Sequence, residues 1–293
     1  MRKMYLAIAA GVLVATGLGA AEGATAATTT PSTITGVISK AKTSVNNSAT
    51  AKSVTVTCPS GKSVINASGS VGGGGGKVVL DEIFPDQTLT TVTVSAKETD
   101  LLTAKWTVTA KATCADPPAG LFWDYLPSAN NSNSTKTAAD DCPAGQTMLG
   151  TGMDIVGGQG EVGAYSIVPA IDAAGRAFGV TVKAAEHDPL SAAWEVHAII
   201  ICADAVYPQQ VVYADAGATS TGSTGVTVYC PLGSVATGTG YDVPQAVGEV
   251  IVNSIDPGGS TTTQTDRTAI AAYEEDGTVL TYAPRAYAIC ANR

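Results

Sequence analysis

The chain has 293 residues, 45% of them hydrophobic and only 14% charged, with a formal net charge of −9. An acidic chain with scattered Lys and Arg lacks the basic footprint that nucleic acid or anionic lipid needs, which argues against both as partners. Six cysteines, an even number, fit an oxidising compartment and three disulfides.

The first predicted element is the N-terminal stretch MRKMYLAIAAGVLVATGLGAAEGATAA. Arg2 and Lys3 make a basic start, an apolar run rich in Ala and Gly follows, and Ala24-Thr25-Ala26 fits a small-x-small cleavage pattern. The run is long enough to span a bilayer, but the cleavage site follows it at once. Residues 1–26 therefore read as a secretory signal peptide. The expectation is a secreted, extracellular protein with no membrane association after cleavage.

The rest of the chain repeats three times. Cys-Pro dipeptides begin at Cys58, Cys142 and Cys230, and the second cysteines Cys114, Cys202 and Cys290 are each followed by Ala. A proline stands 27 residues after each first cysteine: Pro85, Pro169 and Pro257. A Glu-x-Asp pair precedes each second cysteine: Glu98 and Asp100, Glu186 and Asp188, Glu274 and Asp276. A large aromatic, Trp106, Trp194 or Tyr282, lies eight residues before it. The repeat defines three modules of about 85 residues, the size of a small domain: 27–115, 116–203 and 204–293.

Within a module the hydrophobic period is two. SVTVTC, TTVTVSAKE and KWTVTAKATC alternate β-branched with small or polar residues, as half-buried strands do. No amphipathic helix follows the signal peptide. Each module reads as five or six strands: one before a Ser/Thr-rich loop, one into Cys-Pro, one through a Gly-x-Gly segment, one before the proline, and a final hairpin turning at the Glu-x-Asp pair. Proline after the first cysteine ends the ladder, and the glycine two residues later supplies a turn. The second cysteine ends the last strand of the same module. The repeat thereby selects Cys58–Cys114, Cys142–Cys202 and Cys230–Cys290, each closing a loop worth about 4 kcal/mol in the chain-entropy view. The fold class is all-β: three tandem antiparallel modules, each with its own sandwich-like core. One three-sided β-prism is the alternative, since thin cores gain burial around a shared axis.

The segments CPAGQTMLGTG, AAEHD and HAIIICA in module two, and CPLGSVATGTG, AYEED and AYAICA in module three, carry a likeness. The pattern resembles a repeat module of secreted proteins of unknown function from high-GC Gram-positive bacteria, and it covers nearly all of the mature chain. It implies export and no particular activity. Module one departs, with Asn66 and Ser68 where the others have glycine. A weaker likeness is to the vitelline membrane outer layer proteins, whose three β-repeats form a prism; their cysteine spacing is shorter.

Few residues suggest chemistry. Gly72 to Gly76 with Lys77 fails the phosphate-loop pattern, because Val71 and Val78 stand where Gly and Ser or Thr are needed. Gly158, Gly160 and Gly163 match a dinucleotide pattern without its strand–helix setting. His187 and His197, the only histidines, have Thr99 and Glu275, and Thr109 and Arg285, as counterparts, so a site common to the modules cannot use them. Glu98, Asp100, Glu186, Asp188, Glu274 and Asp276 could gather oxygen ligands for calcium, the one cofactor the pattern suggests; the simpler reading is turn capping. Phe122, Trp123 and Tyr125 cluster only in module two. Exposed, they could stack on a sugar; burial as a first strand is the favoured expectation.

The leading functional expectation is a non-catalytic array that binds a cell-envelope or extracellular polymer such as a glycan, with the repeat supplying avidity. A self-assembling structural protein without ligand is the second reading. A hydrolase, the third, needs a polar constellation private to one module, and the sequence offers none.

Overall fold

The computed structural model describes residues 33–258, 266–277 and 280–292. The expected signal peptide 1–26 and part of the third hairpin turn lie outside the described residues. Each module supplies six strands. Module one carries β1 (Ile38–Thr43), β2 (Ala51–Thr57), β3 (Ser63–Gly72), β4 (Val78–Pro85), β5 (Thr91–Glu98) and β6 (Thr107–Ala115). Module two carries β7 (Phe122–Pro127), β8 (Thr135–Asp141), β9 (Gln146–Val156), β10 (Val162–Ile171), β11 (Ala177–Glu186) and β12 (Glu195–Asp204). Module three carries β13 (Gln209–Asp215), β14 (Ser223–Tyr229), β15 (Ser234–Asp242), β16 (Val250–Gly258), β17 (Arg267–Glu274) and β18 (Arg285–Asn292). The order of elements is the one the alternating pattern predicts. β2, β8 and β14 each stop on the residue before a Cys-Pro, and Gly61, Gly145 and Gly233 turn the chain at φ 81°, 90° and 85°.

The strands form three antiparallel six-stranded sheets, and no sheet belongs to one module. One sheet runs β2-β5-β4-β9-β12-β7, half from module one and half from module two. The next runs β13-β18-β15-β10-β11-β8, from modules three and two. The last runs β1-β6-β3-β16-β17-β14, from modules one and three. The three modules thus close a ring of shared sheets. The private sandwich cores expected from the sequence do not exist, and the three-sided alternative describes the arrangement. The physical reason is burial: a three-stranded half-sheet leaves an open edge, and pairing it with the next module removes that edge.

The seams are short and depend on glycine. β4 meets β9 at Glu82↔Asp154 and Ile83↔Met153. β10 meets β15 at Ser166↔Asp242 and Ile167↔Tyr241, and β16 meets β3 only at Ser254↔Ser70. A bulge at Ile65 and another at Leu149 interrupt the ladders of β3 and β9. Their carbonyls face the glycines of the following module: a Cβ at Gly150 would lie 2.2 Å from Ile65 O, and one at Gly238 2.3 Å from Leu149 O. Gly152 and Gly240 likewise abut Ile83 O and Ile167 O, beside the rings of Pro85 and Pro169. The Gly-x-Gly segment and the fixed-spacing proline are therefore two halves of one joint. Module one has Asn66 and Ser68 at these places, and its seam with module three is the one reduced to a single pair.

All three disulfides form as expected, at Cα separations of 5.8, 5.8 and 5.6 Å. Because the first cysteine follows β2, β8 or β14 and the second lies in β6, β12 or β18, each bridge joins two different sheets. Together they tie every pair of sheets. Trp106, Trp194 and Tyr282 are fully buried in one apolar cluster drawn from all three modules. A second cluster collects Ile65, Leu149 and Val235 with Ala115, Ala203 and Ala291, the alanines that follow the second cysteines. The repeated Cys-Ala is thus a packing feature, with no room for a larger side chain among fully buried neighbours.

Candidate functional site on the sheet shared by modules one and two

Equivalent rows crossing the three sheets show where the modules differ. Cross-strand partners point to one side of a sheet. On the sheet of modules one and two the row reads Pro127, His197, Asp154, Glu82, Ser95, Ser53. On the sheet of modules two and three it reads Asp215, Arg285, Asp242, Ser166, Lys183, Thr137. On the remaining sheet it reads Thr43, Thr109, Ser70, Ser254, Ala271, Gly225. Only the first row sets two carboxylates directly opposite each other across a seam.

That row crosses an open groove of about 540 Å³, lined by residues 51–53, 81–82, 95–97 and 154–156. A bulge between Leu80 and Glu82 turns Asp81 out of register. Asp81 is nine-tenths buried; its Oδ2 pairs with Lys97 Nζ at 2.7 Å, and its Oδ1 has no hydrogen-bond partner. Ser95 Oγ donates to Glu82 Oε2 and lies 3.0 Å from Ser53 Oγ. Burial pushes the Glu82 carboxyl above its usual range, with Asp154 and Asp81 adding repulsion. Burial does the same to Asp154, partly offset by His197. His197 reaches Glu195 Oε1 through Nε2 at 3.1 Å and faces Asp154 Oδ2 through Nδ1 at 3.5 Å.

Aromatic rings run beside the carboxylates. Phe84 meets Trp123 edge-on at 5.8 Å, Trp123 meets Tyr125 at 5.4 Å, and Tyr125 meets His197 at 5.1 Å. β7 is a first strand, as expected, but it lies at the sheet edge. Phe122 and Tyr125 are exposed there and Trp123 is half-buried, which corrects the expectation of burial. An edge strand has no neighbour to cover its outer side chains. Phe84 and His197 join the cluster from other strands, which no local reading of LFWDYLP could show.

The Glu-x-Asp pairs lie elsewhere, and two of their first members, Glu98 and Glu186, have structural partners. Glu98 Oε1 accepts from Trp106 Nε1 at 2.9 Å, and Glu98 Oε2 from Leu102 N at 3.3 Å. Glu186 repeats both bonds with Trp194 and Leu190 at 2.9 and 3.3 Å. Lys52 and Lys136 lie 4.3 and 4.6 Å over the same indoles, and burial lowers both ammonium groups from the ordinary lysine range. Module three replaces the set: Thr224 stands for the lysine, and Tyr282 donates its hydroxyl to Thr221 O at 2.9 Å. Asp100 pairs with Lys77 at 2.8 Å. Among the described residues no group of three or more His, Cys, Asp or Glu is arranged to hold a metal ion.

The residues between the pairs meet across modules. Gly76, Gly160 and Gly248 pack on the carbonyls of Glu274, Glu98 and Glu186, so each loop seats the corner of another module. His187 is buried with its Nδ1 3.1 Å from Glu275 Oε2. Its sequence neighbours Glu186 and Asp188 are not the partners; the contact spans modules two and three. The glycine runs that failed as nucleotide motifs thus serve as close-packing seats.

Glu186→Ala is expected to lower stability by about 2–4 kcal/mol, since it strips an indole N–H and a backbone N–H of their acceptor at once. Glu274→Ala, whose Oε1 has no partner, should cost much less. Thermal melts read both, and the Glu186→Ala loss should be the same in millimolar calcium and in chelator.

No protein-family model matches the chain, and no curated protein does. The three disulfides fit an oxidising environment, and among the described residues no helix is long and apolar enough to cross a membrane.

Proposed function

We propose that this is a secreted, non-catalytic protein that binds an extracellular polymer, a glycan of the cell envelope or its surroundings, on the sheet shared by modules one and two. The observation that carries the reading is the row of Phe84, Trp123, Tyr125 and His197 alongside the Glu82–Asp154 groove. Rings offer flat apolar faces to a sugar, and flanking carboxylates accept from its hydroxyls. The groove volume falls in the range of small-ligand sites. The repeat supplies the scaffold and one face supplies the site, because the other two faces carry different rows. Avidity from three identical sites is therefore not part of the proposal.

Purified mature protein should be retained on an insoluble glycan or wall polymer. Tyr125→Ala, which removes an exposed ring on an edge strand, should weaken retention about tenfold, or roughly 1.4 kcal/mol. Absence of retention on chitin, cellulose and peptidoglycan alike would refute the reading and leave a purely structural role.

A further inference from the structure

We infer that the groove takes a polysaccharide bearing free, protonated amino groups, seating an ammonium against Glu82 and Asp154 while the neighbouring rings carry the sugar. This rests on the glycan-binding reading above and narrows it to a chemical class.

The charges at the groove do not balance. Glu82, Asp154, Asp81 and Glu195 bring four carboxylates to the groove and its rim. Lys97 is taken by Asp81. Lys52 lines the floor but points its ammonium at the carbonyls of Val45, Asn47 and Trp106. His197 sits between Asp154 and Glu195. Glu82 and Asp154 are left facing each other across the seam with only Ser95 donating to Glu82.

A second feature points the same way. Asp81 is nine-tenths buried on the groove wall, and its Oδ1 has no hydrogen-bond partner. A buried acceptor without a donor is costly unless a ligand or water supplies one. A primary ammonium offers three donors and a full charge. It suits this set of acceptors better than a hydroxyl does, and an anionic glycan would be repelled. The Trp123 and Tyr125 rings add cation–π attraction for an amine on the next sugar. The acidity of the whole chain steers a polycation toward it.

The equivalent places on the other sheets are unsuited to an amine. Arg285 occupies the position of His197, bonded to Asp215 at 2.6 and 2.9 Å. On the third sheet the row is neutral.

The test compares retention of the mature protein on chitin and on its de-N-acetylated form, chitosan. Binding to chitosan should be about tenfold or more tighter and should weaken with salt. Glu82→Gln and Asp154→Asn should each weaken chitosan binding far more than chitin binding, closing most of the gap between the two polymers. Both substitutions remove a repelled charge, so the fold should persist; circular dichroism checks it. Protonation of Glu82 and Asp154 competes with the ammonium. Deprotonation of the sugar amine removes the ammonium at the alkaline end, so chitosan binding should pass through a maximum, and its acid-side fall should begin above the ordinary carboxylate range because burial raises both groups. Asp81, Lys97, Glu195 and His197 are the other charged or titratable groups facing this pair.

Equal retention on the two polymers, or unchanged chitosan binding in both variants, would overturn the inference and leave the glycan reading standing. Retention on neither polymer, nor on cellulose or peptidoglycan, would defeat both. Polylysine is the comparison for a basic peptide. Binding it as tightly as chitosan, with Tyr125→Ala neutral on both, would overturn the assignment to a sugar.

Discussion

Gly150→Ala is expected to cost about 3 kcal/mol or more, at the high end for a single substitution. The added Cβ would sit 2.2 Å from Ile65 O and 2.8 Å from Asn66 Cα. Those atoms belong to a bulge in β3, in a different module, and they are backbone, so no rotamer change can relieve the overlap. Only opening the seam between modules one and two would. Gly238→Ala meets Leu149 O at 2.3 Å and should behave alike. For a protein of this size the loss corresponds to a melting temperature about 10 °C lower. Gly217→Ala is the control: nothing lies within 4 Å of its Cβ, and it should change stability by less than about 0.5 kcal/mol. A Gly150→Ala melt coincident with the native one would mean that the glycine is not the joint.

Removal of the Cys142–Cys202 bridge, by replacing both residues with Ala, is expected to cost about 4 kcal/mol. Two effects combine. The bridge closes a long loop, with a sequence separation of 60 residues. It also pins the strand end after β8, in one sheet, to β12 in the next. The other two bridges tie the remaining sheet pairs, so each double replacement should give a similar loss. Melting with and without reductant measures the sum, and the three double variants measure the parts. A loss below about 1 kcal/mol for any of them would show that its sheet pair is held by packing alone.

The fold was legible to a definite depth. Period-two patterning gave the strands, because an alternating sequence records which side of each strand is buried. The cysteine register gave the pairings, because copies of one module must close alike. Module closure was not legible. Pairing β4 with β9 depends on which half-sheet edges remain open in space, and no local pattern carries that. The Gly-x-Gly signal was visible, but its cause lay in the carbonyls of Ile65 and Leu149, two strands of other modules.

The site was legible in part. Trp123 and Tyr125 stood out as an aromatic cluster private to module two. Glu82 and Asp154 did not, since they lie 72 residues apart and belong to different modules. One signal could have found them: at the matched positions the other modules carry Ser166 and Ser254, and Ser70 and Asp242, so only one seam pairs two acids. The letters did not show why Glu98 and Glu186 hold their register: the Trp that donates to each lies eight residues on, across the hairpin.

Hydrogen exchange of the mature protein, with and without soluble oligosaccharide of the polymer that retains it, tests the assignment of the binding face most directly. The expected result is slowed exchange in β4, β9, β12 and β7, with the other two sheets unchanged. Protection centred instead on the Tyr213–Tyr287 face, or spread evenly over the three sheets, would contradict it.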